Sequence, residues 1–317
     1  MTIKEIIKPF VPDYLLQYRR DRLNAKLINE HKGMSRPEIE AWLAQCYREK
    51  IGVELDLENP ARYTEKIQWC KLYAMDERKS TLSDKYAVRE WVASLIGNEY
   101  LIPLLGVWDS PDKIDFNSLP KSFALKTNHG YDTNIIVSDK SKLNISRAKR
   151  QLRRWLDLDF GWVGFERQYM RIPPRIIAEE YISNKDGSEI ADYKVLCFSG
   201  EPAYVWVDLN RHSNHTRVVF DVDWIRQPWV QYHYPYQSEN PERPKQLEEM
   251  LEKSRVLSDG FAHARVDFYI VNDALKFGEM TFTNGCGFEE IHPDEWDLRL
   301  GSLWDLSKEP RAEFPVK

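Results

Sequence analysis

The stretch that most constrains this chain is Ala264-Arg265-Val266-Asp267-Phe268-Tyr269, followed by Phe277-Gly278-Glu279-Met280-Thr281-Phe282. Both arms alternate aromatic or β-branched residues with polar ones. Asn272-Asp273 between them is turn chemistry, so the pattern predicts two adjacent strands. Residues two apart share one face of a strand, which sets Arg265 with Asp267 and Glu279 with Thr281. A carboxylate from each strand then stands beside the other, as the hard oxygen ligands of Mg²⁺ must. Two acids alone repel. With Mg²⁺ and a polyphosphate between them, and Arg265 alongside, the charge balances and the group becomes a phosphoryl-transfer site. A solvated hairpin face with a surface Arg–Asp pair accounts for the same spacing, so the choice rests on residues upstream.

At 317 residues the chain is long enough for a large core and more than one domain, and its 42% hydrophobic content is that of a folded protein. A formal net charge of −5 argues against nucleic acid as a main partner, because phosphate backbones demand a basic surface. Cys46, Cys70, Cys197 and Cys286 are scattered without CxxC spacing, which suggests neither a zinc site nor a disulfide framework but reduced thiols in the cytoplasm. The apolar run at the N-terminus is broken by Lys4, Glu5 and Lys8. No segment approaches the ~20 apolar residues of a membrane span.

In chain order, residues 1–58 read as helical: Pro9 and Pro12 break an amphipathic start, and Ser35-Arg36-Pro37-Glu38 opens a second helix around Ile39, Trp42 and Leu43. Tyr18 to Lys26 is Arg-rich, but Asp13, Asp21 and Glu30 dilute it, which favours a solvated face over a membrane-binding one. In a segment 59–119, Thr64 and Ser83 are the expected caps of two helices, the second running from about Asp84 to Ile96. An extended piece, Tyr100 to Trp108, follows. Strands are expected at Ser122 to Lys126 and Ile135 to Val137. Lys126 ends the first, before a polar loop containing His129 and Gly130 whose exposed amides suit a polyphosphate. One glycine is no P-loop, and GxxxxGK[ST] is absent. A basic helix from Ser146 carries Ala148, Leu152 and Trp155 on one side. After Pro173-Pro174, the strand Arg175 to Ile182 has its apolar run interrupted by Glu179 and Glu180. A hairpin follows, Ala191 to Phe198 and Ala203 to Leu209 around Ser199-Gly200. On it Asp192 and Lys194 share a face, with Arg211 closing the second arm; a cross-strand ion pair is the plain alternative. Residues 211–241 resist assignment, and His212 with His215 are spaced loosely for a metal pair and have no further ligands beside them. A helix carries Leu247, Met250, Leu251 and Leu257 into the opening hairpin. The tail holds a Gly-rich loop, Asn284 to Phe288, and a helix from about Asp294 to Trp304.

Taken in order, Lys126, Glu179-Glu180, Asp192-x-Lys194, Arg211, Arg265-x-Asp267 and Glu279-x-Thr281 resemble the ATP-grasp superfamily. More narrowly, Thr64-Glu65-Lys66-Ile67-Gln68-Trp69, Ser83-Asp84-Lys85, Phe123 to Gly130, Asp192-Tyr193-Lys194 and Phe277 to Phe282 resemble the TupA-like ATP-grasp family, linked to teichuronopeptide and capsular polysaccharide assembly. The resemblance covers about residues 59–303. It implies an α+β protein whose two subdomains grip ATP, a lid over 120–182 and a catalytic part over 183–317, behind the helical N-terminal region. It implies a carboxylate–amine ligase that uses ATP and Mg²⁺ and proceeds through an acyl phosphate. Lys126 would hold the α/β-phosphates, with His129, Gly130, Glu179 and Asp192 in the nucleotide site. Glu180, Tyr181 and Ile182 would meet the nucleoside, and Lys194 the γ-phosphate. Asp267 and Glu279 would carry Mg²⁺, Arg265 would stabilise the oxyanion, and Arg211 would neutralise the substrate carboxylate.

One departure concerns the metal: Thr281 stands where most such enzymes have Asn, and a hydroxyl is a poorer Mg²⁺ ligand than an amide carbonyl, which leaves Asn284 as a substitute and the number of metal ions open. The family context points to a hexuronic acid, free, nucleotide-linked or glycan-linked, as the acid, and an amino acid or small amino alcohol as the amine. It leaves room for a peripheral membrane or polysaccharide-assembly partner. Trp206, Trp224, Trp229 and Tyr232 suit either sugar stacking or core packing. A glycosyltransferase, a phosphotransferase and a catalytically silent binding module are the competing classes; the retention of Lys126, Asp267 and Glu279 weighs against the last.

Overall fold

The computed structural model describes residues 13–209, 215–231 and 240–314, so Arg211, His212, Tyr232, Pro9 and Pro12 lie outside the described residues. Two helices come first, α1 (Asp13–His31) and α2 (Arg36–Ile51). α2 starts as expected, with the Glu38 carboxylate accepting from the Ser35 amide at 2.7 Å. α3 (Tyr63–Tyr73), α4 (Arg78–Ser83) and α5 (Val88–Ile96) follow. Two expected caps are corrected here. Thr64 lies inside the first turn of α3, where its hydroxyl donates to Asp297 at 2.5 Å, and the orphan amides of Ala61 and Arg62 are taken instead by Glu65. The helix expected from Asp84 to Ile96 begins later. Ser83 ends α4, and Asp84 Oδ1 holds a turn by accepting from the amides of Tyr86 and Ala87 and from the side chain of Asn128.

The first sheet takes β1 (Leu104–Trp108), β2 (Phe123–Thr127), β3 (Asn134–Val137) and, after helix α6 (Ile145–Leu156), β4 (Ile176–Glu180). It is antiparallel in the order β1-β4-β2-β3, so its edge strand comes from the segment ahead of residue 120. Phe123, Leu125, Ile176 and Ala178 form one face and pack with Leu152 and Trp155 of α6 and Ile28 of α1. The Trp155 indole donates to the buried Asp21 carboxylate at 3.1 Å, which ties α1 to this unit.

The second sheet is built from β5 (Asp192–Phe198), β6 (Glu201–Leu209), β7 (Thr216–Asp221) and, after the two-residue β8 (Val230–Gln231) and helix α7 (Leu247–Ser258), β9 (His263–Val271) and β10 (Ala274–Thr281). The order is β10-β9-β5-β6-β7, all antiparallel. β11 (Ile291–His292) pairs with β8, and α8 (Glu295–Leu303) is the last α-helix among the described residues. β7 lies in the stretch that resisted assignment.

The β9–β10 hairpin turns at Asn272 and Asp273, with φ of 50° and 64°, as a tight right-twisted turn requires. Its register breaks between Phe277 and Glu279, where Gly278 is an extra residue. A regular strand would put Phe277 and Glu279 on one face. The bulge sends Phe277 into the core beside Phe268 and brings Glu279 opposite Asp267. A Cβ at Gly278 would lie 3.1 Å from the Asp267 carbonyl oxygen, so the tight approach favours glycine.

One face of the five-stranded sheet is apolar throughout: Tyr193, Val195, Val205, Val207, Phe220, Val266 and Phe268 pack on α5 and α7. The other face is divided. Leu196, Phe198, Tyr204, Trp206 and Val219 pack on Tyr63, Trp229, Trp296 and Trp304, while the same strands carry charged residues at their other ends. This settles the tryptophans. Trp206 is fully buried and Trp229 4% exposed, both core residues, and Trp224 stacks on Phe220 at 4.2 Å, so these three are not laid out as a sugar platform.

Candidate functional site

The charged half of that face comes from strand alternation. Asp192 and Lys194 on β5, Arg265 and Asp267 on β9, and Glu279 on β10 face one way because every other residue does. The register puts Lys194, Asp267 and Glu279 in one row across three strands. Lys194 Nζ donates to Asp192 at 2.5 Å and to Asp267 at 2.9 Å. Arg265 holds Asp267 bidentately, both distances 2.7 Å, and reaches Glu279 at 3.3 Å. Burial favours the neutral form of Asp267, but Arg265 and Lys194 outweigh it and hold the carboxyl below its ordinary range. Burial works against the charge on Lys194 too, and Asp192 and Asp267 raise its pKa regardless. Lys194 and Asp267 are therefore both ionised near neutral pH. Glu279 differs from its neighbours in being 40% exposed at the side chain, open to the cleft.

Across the cleft the first sheet supplies Lys126, whose Nζ donates to Glu179 at 2.6 Å; Arg89 donates to the same carboxylate at 2.8 Å. Lys85 completes this side. Its Nζ donates to the Gly130 carbonyl and stands 3.9 Å from Glu279, and burial lowers its pKa. The Asp84 turn fixes it: Asn128 donates to Asp84 at 2.8 Å and accepts from the Arg175 amide at 2.6 Å, while the Lys85 amide donates to the Asn128 carbonyl. Lys85, Lys126, Glu179, Asp192, Lys194, Asp267 and Glu279 thus line one cleft between the two sheets.

Other expected residues sit elsewhere. His129 is buried, with Nε2 3.1 Å from the Leu158 carbonyl and its ring against Phe160, and faces the core of the first unit. Gly130 meets the site through its carbonyl. Glu180 and Tyr181 are exposed at the end of β4 with half-buried Ile182 beside them, and the Glu180 amide donates to Pro103. Thr281 pairs with Arg265, one step beyond the carboxylate row. Both polar atoms of the Asn284 side chain are engaged: its oxygen accepts from Arg265 and its amide donates to Gln231.

Sequence reasoning assigned no role to Lys85, Arg89, Asp208 or Arg217. Asp208, at the end of β6, takes both forks of Arg217 at 2.6 and 2.8 Å; burial opposes its charge, but Arg217, His215 and Lys194 hold its pKa far down. A usable signal was the alternation in Thr216 to Asp221, which puts Arg217 and Val219 on one face.

Asp267 and Glu279 offer hard oxygen atoms side by side, and among the described residues no group of three or more His, Cys, Asp or Glu is arranged to hold a metal ion by itself. That donor set suits Mg²⁺, which takes one or two carboxylates together with substrate phosphates rather than a closed protein cage. The cations opposite suit the phosphates.

Lys126 of one antiparallel sheet and Lys85 of the turn before α5 thus share a cleft with the paired carboxylates of the other sheet, in an α+β architecture. The family model described as TupA-like ATP-grasp matches residues 65–305, and the chain belongs to that family. Its fold is the α+β ATP-grasp fold preceded by helices. ATP-grasp enzymes use ATP, typically with Mg²⁺. No match was found among curated proteins. Among solved structures, D-alanine–D-alanine ligase from Helicobacter pylori is 11% identical, with a TM-score of 0.42, over 77% of this chain and 70% of that one. The Bacillus anthracis D-alanine–D-alanine ligase complexed with ATP is 13% identical, with a TM-score of 0.38, over 66% of this chain and 56% of that one. The ATP-grasp ligase PsnB complexed with minimal precursor is 11% identical, with a TM-score of 0.35, over 71% and 62%. No helix among the described residues is long and apolar enough to cross a membrane.

Proposed function

We propose that this chain is an ATP-dependent carboxylate–amine ligase. The observation that carries the reading is the Asp267–Glu279 carboxylate pair, flanked by Arg265 and Lys194 and faced across the cleft by Lys126 and Lys85. Carboxylates do not react with amines at neutral pH, so the acid must first be activated. ATP is the phosphoryl donor: a carboxylate oxygen of the acid bonds to the γ-phosphorus, the bond to ADP breaks, and an acyl phosphate results. The amine then bonds to the acyl carbon, the C–O bond breaks and phosphate leaves.

In this reading Lys126 and Lys85 bind phosphate oxygens, and their contacts with Glu179 and Gly130 hold them in place beforehand. Lys194 meets the γ-phosphate. Arg265 stands beside the reacting carbon and stabilises the oxyanion of the tetrahedral stage. Asp267 and Glu279 would hold Mg²⁺, which neutralises charge developing on the phosphates. Glu180, Tyr181 and Ile182 receive the nucleoside at the end of β4, and Arg211 neutralises the acid substrate. The family's link to surface polysaccharides puts hexuronic acids first among acids to try, with amino acids and amino alcohols as amines.

The test mixes purified protein with Mg-ATP, uronic acids (free, as methyl glycosides and as nucleotide sugars) and pooled amines, following ADP and product mass together. ADP release that requires both acid and amine, with a product equal to their sum less one water, is the expected result. A product heavier by one phosphoryl group, formed without amine, would replace the ligase by a kinase.

A further inference from the structure

We propose that Glu289 is the residue that receives the amine substrate, binding it as an ammonium ion, which makes the second substrate a cationic amine. The inference rests on the ligase reading and adds the place and charge of its nucleophile. The acids of the site are otherwise spent. Glu179 is held by Lys126, Asp192 by Lys194, Asp208 by Arg217, Asp267 by Arg265, and Glu279 lies 3.3 Å from Arg265. Glu289 makes no hydrogen bond or ion pair with any described residue, yet it is half-buried and within electrostatic reach of Arg217, Arg265, Asp208 and Lys194. Burial pushes its pKa up against the opposing pull of Arg217, Arg265 and Lys194.

Its position is fixed by the loop before it. Gly285, Cys286 and Gly287 all have positive φ, and a Cβ on Gly285 would lie 2.6 Å from the Glu289 Cδ, so the carboxyl group lies directly over the glycine. The loop is held from below: buried Lys71 donates to the Cys286 carbonyl at 2.7 Å, and Gln68 donates to the carbonyls of Cys286 and Gly287. Asn284, at the loop's start, is bound to Arg265, the group placed beside the reacting carbon. An ammonium ion held there gives one proton to the Glu289 carboxylate and so becomes a neutral nucleophile on the Arg265 side of the carboxylate row, away from Lys126 and Lys85. Those two lysines repel an ammonium ion; an unspent carboxylate attracts it.

The experiment compares two nucleophiles with the full chain at neutral pH: ethanolamine, which is cationic, and hydroxylamine, which is largely uncharged and reports acyl phosphate as hydroxamate. In Glu289→Gln the KM for ethanolamine should rise about tenfold or more relative to that for hydroxylamine, with the KM for ATP unmoved, and Glu289→Asp should restore part of the ratio. An equal loss with both nucleophiles, or no change with either, would overturn the assignment. Wild-type protein that forms no hydroxamate with any acid would instead bring down the ligase reading, and this inference with it, before any variant is made.

Discussion

The cleft-facing side of the five-stranded sheet is one surface with two halves. Along β5 the same alternating positions read Asp192, Lys194, Leu196, Phe198, and along β6 they read Asp208, Trp206, Tyr204 in the opposite chain direction. The apolar half is filled by Trp229, Trp296 and Trp304 and contributes roughly 1.5–3 kcal/mol for each large side chain buried. The charged half buries ions, whose desolvation cost can match their attraction, so it adds little net stability. The difference assigns the two halves their work: one holds the sheet in place, and the other is kept in spite of its cost because it binds charge.

Variants that separate the halves sharpen this comparison. The largest effect is expected from Glu279→Gln, which keeps the shape of a half-exposed side chain and removes one carboxylate of the pair. Turnover should fall by roughly three orders of magnitude or more, with the melting temperature within a degree or two of wild type. A large loss of melting temperature would mean that the charged half is structural after all. In the apolar half, Trp206→Ala should cost about 3–5 kcal/mol in urea unfolding, while whatever protein remains folded at low temperature binds nucleotide normally. Selective loss of nucleotide binding with unchanged stability would erase the distinction.

A smaller effect comes from His263, buried at the base of the apolar half. Its Nδ1 lies 2.9 Å from the Cys197 carbonyl and its Nε2 2.9 Å from the Tyr63 hydroxyl, which fits a neutral ring donating from Nδ1 and accepting at Nε2. Burial pushes its pKa down to about 3. The unfolded chain then binds a proton that the folded chain refuses, so stability falls as pH drops from the ordinary histidine value of about 6.5 towards 3, by about 5 kcal/mol at most. Urea midpoints measured through that window in wild type and His263→Gln should converge as pH falls; parallel curves would show that His263 titrates as in the unfolded chain.

How much of this was legible depended on whether a residue's neighbours were local. The β9–β10 hairpin was, because alternation and Asn272-Asp273 are signals within a few residues. The Gly278 bulge was not read, although the apolar set changes parity from Leu275 and Phe277 to Met280 and Phe282, which is what an inserted residue does. Thr64 and Ser83 look like caps locally. Asp297 claims the first from 233 residues away, and the Asp84 turn, tied to Asn128, makes the second a helix end. Lys126 and Glu279 could be singled out by residue type and position, whereas Lys85 became visible only once two sheets faced each other, and the alternation that carries Arg217 was not read. The sugar-stacking option for Trp206 and Trp229 was open because aromatic content does not say which face a side chain takes.

The most direct test of the central claim follows an oxygen atom. A uronic acid carrying ¹⁸O in its carboxyl group, incubated with Mg-ATP, amine and the full chain, should pass one labelled oxygen to the released phosphate and keep the other in the amide. That transfer occurs only if the carboxylate itself was phosphorylated. Phosphate free of label, in a reaction that still consumes ATP and both substrates, would contradict the acyl-phosphate account.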